Sequence, residues 1–307
     1  MAQTLPATPI FSVIVATRNR RESLQQFIEG LRLLPDQPAW ELIVVDNGSS
    51  DGTDMLLSTI EADLPVVVVG EKQPGKSRAL NKALKHARGD ILLFTDDDVV
   101  PDPDWLAALH KASLDYPNAN VFGGRILVNY ERIPKWIMKS SNLKTILMSE
   151  QDFGNEICWF AGDQYPIGPN LAVRRQLLDR GSFGWPVNLG PGTRIPLGDE
   201  RAFLMQLSPS DSRDRLYVPG SVVRHDIRGR QLSIGNALAR CFLGGYAAGL
   251  IGRLRDRASV NADKNTLRVA RQRLCGLSSS REFICVLARA LGVMAGSASP
   301  FARVLYG

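Results

Sequence analysis

The sequence predicts an α/β fold: a mostly parallel sheet flanked by helices, with a helical C-terminal extension. Three observations predict it. Over the first hundred residues short apolar runs alternate with amphipathic helical stretches, the pattern of a doubly wound sheet with right-handed crossovers. Carboxylates follow predicted core strands, as in ILLFTDDD at 91–98, and ligands of open α/β sheets bind beyond the carboxyl ends of strands. After Leu232 the pattern turns wholly helical. The expected division is therefore residues 1–230 and a basic extension, 231–307.

Phe11 to Ala16 (FSVIVA) reads as the first strand, and Glu22 to Leu34 as a helix with Leu24, Phe27, Ile28, Leu31 and Leu34 on one face. Glu41 to Asp46 is the next strand, and the turn cluster from Asn47 to Thr53 follows it. A helix over 53–61, a strand over 65–69 and a helix over 76–87 lead to the central strand at Ile91–Phe94. A helix over 104–115 and a strand over 121–128 come next, and 130–169 reads as irregular. Short strands are expected at 170–173, 216–218 and 221–225, with helices at 174–180 and from Asp199. In the extension, helices are expected at 237–257, 268–273 and 282–295.

The chain has 307 residues and a net charge of +6. From Arg224 onward there are roughly 14 Lys/Arg against about 4 Asp/Glu, so the basic character belongs to the tail. The cysteines Cys158, Cys241, Cys275 and Cys285 lack metal-type spacing and read as reduced. No cationic leader precedes the first apolar run, and no uninterrupted apolar stretch reaches the roughly 18 residues of a membrane span. The expected location is cytoplasmic.

Three adjacent carboxylates repel one another, so Asp96, Asp97 and Asp98 call for a cation or donors beside them. Strand alternation would turn Asp96 and Asp98 the same way, as two oxygen ligands suited to Mg2+ or Mn2+; the plainer reading is an acidic loop. Asp46 ends a strand at the same sheet edge. It can accept the imide N–H of a uracil, with Thr17 and Arg18 lining base and phosphate, or it can simply cap its own turn. Lys76 and Arg78 open a helix whose N-terminal N–H groups would attract a diphosphate, or would merely face solvent. Trp159, with Asp163 nearby, can stack on an acceptor sugar or plug a loop.

Taken together, ATRNR at 16–20, VVDNGSSDGT at 44–53, GKSRALNKAL at 75–84 and ILLFTDDD at 91–98 resemble the consecutive signatures of family 2 glycosyltransferases. The resemblance implies a GT-A fold and inverting transfer of a sugar from a nucleotide-diphosphate donor. It places Thr17, Arg18, Asp46, Lys76 and Arg78 at the nucleotide, with Asn81 supporting that loop. Asp96 and Asp98 match the DxD motif, Asp96 near the ribose and Asp98 on the divalent cation, with Asp97 on the sugar side. Asn47 stands where the family commonly has Asp.

Less tightly, GPNLAVRR at 168–175 resembles the strand beneath the donor sugar, assigning Gly168 and Asn170 to it. Asp199 and Glu200 resemble the acceptor-side carboxylate pair in reversed order. Either can be the base that takes the acceptor proton, and register favours Glu200. His225 falls where the family often has a histidine near the metal, as a third ligand or a structural residue. The implied partners are a nucleotide-diphosphate sugar and a glycan or lipid-linked acceptor, in cell-envelope or exopolysaccharide synthesis. The tail suits an anionic membrane surface or simple packing with a solvated basic face. Nucleic acid is excluded for want of a reading motif beside a slightly acidic core. Two other classes compete: a sugar-nucleotide pyrophosphorylase, which would want a Gly-rich cationic loop after the first strand, and a non-catalytic nucleotide-sugar-binding protein.

Overall fold

A computed structural model describes residues 8–35, 37–60, 64–128, 133–162, 164–208, 214–227, 229–255 and 280–299. The expected helix at 268–273, and with it Asp163, Arg257 and Cys275, lies outside the described residues. Among them, the first half alternates β1 (Phe11–Thr17), α1 (Arg21–Arg32), β2 (Trp40–Asp46), α2 (Thr53–Ile60), β3 (Val66–Gly70), α3 (Lys76–Leu84) and β4 (Ile91–Thr95). Next come β5 (Val99–Pro101), α4 (Trp105–Asp115), β6 (Val121–Val128), α5 (Lys135–Met138), α6 (Ser141–Met148) and β7 (Cys158–Trp159). β8 (Leu171–Arg174), α7 (Gln176–Asp179), α8 (Asp199–Leu207), β9 (Arg215–His225), α9 (Ile234–Arg255) and α10 (Ser280–Ala298) complete the order.

The described strands form one mixed sheet in the order β3-β2-β1-β4-β8-β6-β9-β5, with β7 beside β9. The pairs β1–β2, β1–β4 and β2–β3 are parallel, whereas β8 runs antiparallel to both β4 and β6. The α/β class read from the sequence therefore holds, and the antiparallel strands supply its second half. Alternate residues of the parallel strands enter two separate cores. Val13, Val15, Leu42, Val44, Ile91 and Leu93 meet α1, α2 and α4 on one face. Ile14, Ile43, Val45, Leu92 and Phe94 meet α3, Trp185 and Phe203 on the other. Both faces are covered, which is why these strands read as unbroken apolar runs.

Three elements differ from expectation. The 130–169 stretch contains α5, α6 and β7; Ser140 starts α6 by accepting the Leu143 N–H, a local cap that weak periodicity hides. The two strands read at 216–218 and 221–225 are one, β9. Its pairings with β7 and β5 use 216–217 and 223–225, so Pro219 owes neither ladder a hydrogen bond. Finally, the expectation of no membrane-length apolar stretch is corrected. The α9 window Ile234–Gly252 is 19 residues long with a mean hydropathy of 1.2, enough to cross a bilayer by length and composition. Interspersed Gly, Asn and Arg240 had divided it into shorter runs.

The described residues group into two compact units interleaved along the chain. The first holds the sheet: residues up to Leu127, Gln151–Trp185 and Phe203–Asp226. The second takes Val128–Glu150, Pro186–Ala202 and the chain from Ile227 onward. It has its own core of Ile137, Leu143, Leu147, Met148, Cys241 and Cys285. Cys241 and Cys285 are buried free thiols and Cys158 is exposed.

Asn170 ties the antiparallel strands together. It is 0% exposed. Its Oδ1 accepts from Trp105 Nε1 at 3.0 Å, and its Nδ2 donates to the carbonyls of Arg125 (3.1 Å) and Ser221 (3.0 Å). Asn170→Ala would leave three buried groups unpaired at 1–3 kcal/mol each. A loss of about 3 kcal/mol or more is expected in urea unfolding, with Asn170→Asp no better because its carboxylate cannot donate to the two carbonyls.

Candidate active site

The site of the first unit lies where β1, β2 and β4 reach their carboxyl ends. Thr17 and Asp46 are register partners there, and Thr95 closes β4. The loops beyond these strands are knitted together. Asn47 N donates to Thr17 O, Asn19 N to Ser49 Oγ, Ser50 N to Asn19 Oδ1 and Arg21 N to Asp51 Oδ2. Asn19 has φ 51°, a left-handed conformation that Asn tolerates better than most residues. Asn47, buried, donates to the carbonyls of Glu71 and Gln73 and accepts the Gly75 N–H. It thereby fixes the loop that begins α3.

β4 ends at Thr95, so strand alternation does not govern the three carboxylates after it. They part in three directions. Asp96 is paired with Lys76 Nζ. Asp97 accepts from Thr17 Oγ1 (2.7 Å) and Arg20 Nη1 (2.9 Å). Asp98 Oδ2 takes the same Arg20 nitrogen at 2.5 Å. Asp98 Oδ1 faces His225 Nε2 at 3.2 Å, an approach of charge rather than an aligned hydrogen bond, and it is buried without a hydrogen-bond partner. His225 is held there by β9, which pairs it with Val99, and Asp226 N donates to Asp98 O.

The electrostatics follow from this division. Burial pushes the Asp97 carboxyl up to about 6, against the pull of Arg20. Burial also works against charge on Asp98, but His225 and then Arg20 outweigh it and hold that carboxyl well below the usual range. Arg20, though itself disfavoured by burial, is bound to its proton more tightly than an ordinary guanidinium by Asp97 and Asp98. Sequence reading quoted Arg20 inside ATRNR without giving it a role. The only signal for it was the need of the carboxylate triplet for a cation.

The other expected residues fall as follows. Asp46 Oδ1 accepts the Ser49 N–H at 3.0 Å, so it shapes its own turn as well as facing the sheet edge. Arg18 is exposed, and Arg78 Nη1 donates to Gln73 Oε1. Asn81 clamps Trp185 through both backbone groups, and Trp185 stacks on Phe203 at 4.3 Å. Gly168 and Asn170 are buried, with the Asn170 amide spent on protein groups as described above. Trp159 is 40% exposed and meets Tyr116 edge-on.

Asp199 and Glu200 begin α8 in the second unit. Asp199 is buried, and its carboxylate lies where a Cβ on Gly190 would stand 2.4 Å from Oδ2. Gly190 has φ +90°, so the loop can pass over that carboxylate only with glycine there. Glu200 is half-buried, and its charge favours the protonated form of Arg240 against burial.

A divalent cation fits part of this geometry. Asp98 Oδ1 is a buried carboxylate oxygen with no aligned hydrogen bond, and the His225 imidazole nitrogen stands 3.2 Å from it; a carboxylate oxygen suits Mg2+ or Mn2+. Asp96 is engaged by Lys76. Among the described residues no group of three His, Cys, Asp or Glu side chains is close enough to hold a metal by itself.

The mixed sheet and its carboxylate edge define a GT-A glycosyltransferase. A family model described as "Glycosyl transferase family 2" matches residues 12–181, more than half of the chain, and the chain belongs to that family. It is 37% identical over 113 residues to an uncharacterized glycosyltransferase, YfnE, of Bacillus subtilis, covering 36% of this chain and 29% of that protein. It is 30% identical over 155 residues to the glycosyltransferase AglE of Haloferax volcanii, covering 46% and 49%. The matches thus span less than half the length of these relatives. In fold it is similar to the mannosyltransferase PcManGT of Pyrobaculum calidifontis, solved with GDP-Man and Mn2+ (TM-score 0.58, 21% identity, 99% of this chain and 80% of that one). It is also similar to TarS 1–349 of S. aureus with UDP-GlcNAc (TM-score 0.54, 16% identity, 93% and 89%).

The Arg20 bridge is testable by unfolding. Arg20→Met strands the buried Asp97 carboxylate, and about 2–3 kcal/mol of stability should be lost, because the arginine is itself a third exposed. Adding Asp97→Asn should recover most of it, giving a strong coupling in the double-mutant cycle.

Proposed function

We propose that this glycosyltransferase is an inverting, metal-dependent enzyme that moves a sugar from a nucleotide-diphosphate donor to a hydroxyl of a glycan or lipid-linked acceptor. The observation that carries the reading is the unspent Asp98 Oδ1 beside His225 at the sheet edge. Asp98 and His225 would hold Mg2+ or Mn2+, the remaining positions being left to water and donor phosphates. The metal would supply charge neutralisation at the departing diphosphate. The cations Lys76 and Arg78 at the start of α3 add positive charge to the same end. Asp46, Thr17 and Arg18 form the nucleotide side, with Thr17 acting through Asp97 rather than at the ligand directly.

In the transfer the acceptor hydroxyl gives its proton to Glu200. Its oxygen bonds to the anomeric carbon from the face opposite the nucleotide, and the bond from that carbon to the phosphate oxygen breaks. The transition state has oxocarbenium character, as in glycoside hydrolysis. The half-buried Glu200 is the better base. The carboxylate of Asp199 is packed against Gly190 and reads as a brace at the head of α8. The proposed destination is a cell-envelope or exopolysaccharide glycan, and the basic, apolar tail supports work at a membrane surface.

Release of nucleotide diphosphate from UDP-, GDP- and dTDP-sugars, with and without Mn2+, tests the reading. Wild type should turn over at least one donor, and chelation should abolish the release. Asp98→Ala should lose Mn2+-dependent donor binding in thermal shift. Glu200→Gln should lower kcat about 100-fold or more with donor binding kept, and Asp199→Asn should instead lower stability. Mn2+-independent donor binding without turnover by wild type would leave a binding protein.

A further inference from the structure

The second unit ends in two helices whose packing the catalytic reading does not use. Gly245 and Gly249 on α9 face Gly292 and Gly296 on α10. A Cβ on Gly245 would stand 2.1 Å from Arg289 O, and one on Gly249 2.3 Å from Val293 O. Cβ atoms on Gly292 and Gly296 would each stand 2.0 Å from the carbonyls of Phe242 and Tyr246. The contacts advance along both chains in the same direction, so the helices run parallel with their backbones in touch. Paired G-x-x-x-G seams of this kind recur where helices associate in lipid, because small residues let backbones close up without a water-driven apolar seam.

The face that α10 turns outward is apolar from end to end. Ile284, Leu287, Leu291 and Met294 are 47%, 47%, 51% and 53% exposed. Their spacing of three and four residues puts them in one stripe, and Ala295 and Ala298 are exposed with them. From Ile284 to Ala298 the sequence has a single charge, Arg289, and no acidic residue. On α9, Phe242 is 38% exposed. The chain between the two helices, 256–279, carries five Lys/Arg against two Asp/Glu. An apolar helix face preceded in sequence by a cationic stretch is complementary to an anionic bilayer, which offers acyl chains to the one and headgroup charge to the other.

We propose that the outer face of α10 is a bilayer-docking surface that beds Ile284, Leu287, Leu291 and Met294 into an anionic membrane. The α9–α10 seam engages the opposite side of α10, leaving that face exposed among the described residues. The inference rests on the membrane-surface reading above and names the residues that carry it. In-plane docking is the mode proposed for α10, whose apolar helix is shorter than a membrane span.

The test is co-sedimentation of the full chain with vesicles of phosphatidylcholine containing phosphatidylglycerol, and with phosphatidylcholine alone. Wild type should bind the anionic vesicles and bind the neutral ones weakly, with binding reduced by salt. Leu287→Glu combined with Leu291→Glu should lower the bound fraction about tenfold or more. Leu33→Glu, at an apolar residue 82% exposed just after α1, should leave binding unchanged. Leu291→Trp should bind and show a blue-shifted emission quenched by brominated lipid. Unchanged vesicle binding by the double variant overturns the proposal, as does Leu291→Trp emission that stays at its solvent value. A dimer dispersed by the double variant while vesicle binding persists overturns it in favour of a second copy. Water-soluble donor turnover should be retained by the double variant, so loss of docking and failure of the catalytic reading are separate results.

Discussion

The carboxylate edge of the sheet depends on one guanidinium nitrogen. Asp96, Asp97 and Asp98 leave β4 in succession, and three charges a few ångströms apart in a half-buried setting cannot coexist without compensation. Arg20 Nη1 reaches both Asp97 and Asp98, and Lys76 takes Asp96. The cations come from the starts of the two helices that follow β1 and β3. The helical crossovers of the parallel half therefore do more than cover the sheet: they bring the two positive side chains back to the end of β4. The knitting of the loops through Asn19, Asn47 and Ser49 then fixes where Arg20 can stand.

How much of this was legible in the sequence depends on the range over which each cause acts. Strands β1 to β4 are buried on both faces and announce themselves locally as apolar runs, and the turn cluster from Asn47 to Thr53 marks its own breaks. The carboxylate triplet could be read as needing a cation because repulsion between neighbours is local too. Its partner could not be read, because Arg20 lies 77 and 78 positions from the carboxylates it joins. The same holds for β8, a four-residue strand whose direction is decided by β4 and β6. The glycines of α9 and α10 lowered the apparent apolarity of both stretches, although their meaning is close packing. Apolar run length was the wrong measure for α9.

The two carboxylates at the head of α8 show how backbone geometry separates like residues. Both gain from the helix N-terminus, and nothing in their chemistry tells which of them would be the proposed base. Gly190 does: its left-handed φ lets the loop pass over Asp199 and bury it, while Glu200, next along the helix, stays half-open. A group that must accept a proton from a ligand has to be reachable by one.

The same distinction separates scaffold from site within the sheet. Asn170 sits under the catalytic edge and resembles a ligand-facing asparagine. Its amide, however, has both hydrogens and its oxygen committed to buried protein groups. Turning that amide toward a sugar would break those bonds and orphan a tryptophan N–H and two carbonyls, a cost that a single sugar hydroxyl does not repay. Asp98 is the opposite case: one oxygen is bound by Arg20, and the other faces the His225 imidazole at 3.2 Å without an aligned hydrogen bond. A buried carboxylate oxygen without an aligned hydrogen bond costs stability. On the proposed reading Asp98 is left open to a metal, while Asn170, whose bonds are complete, holds the strands together.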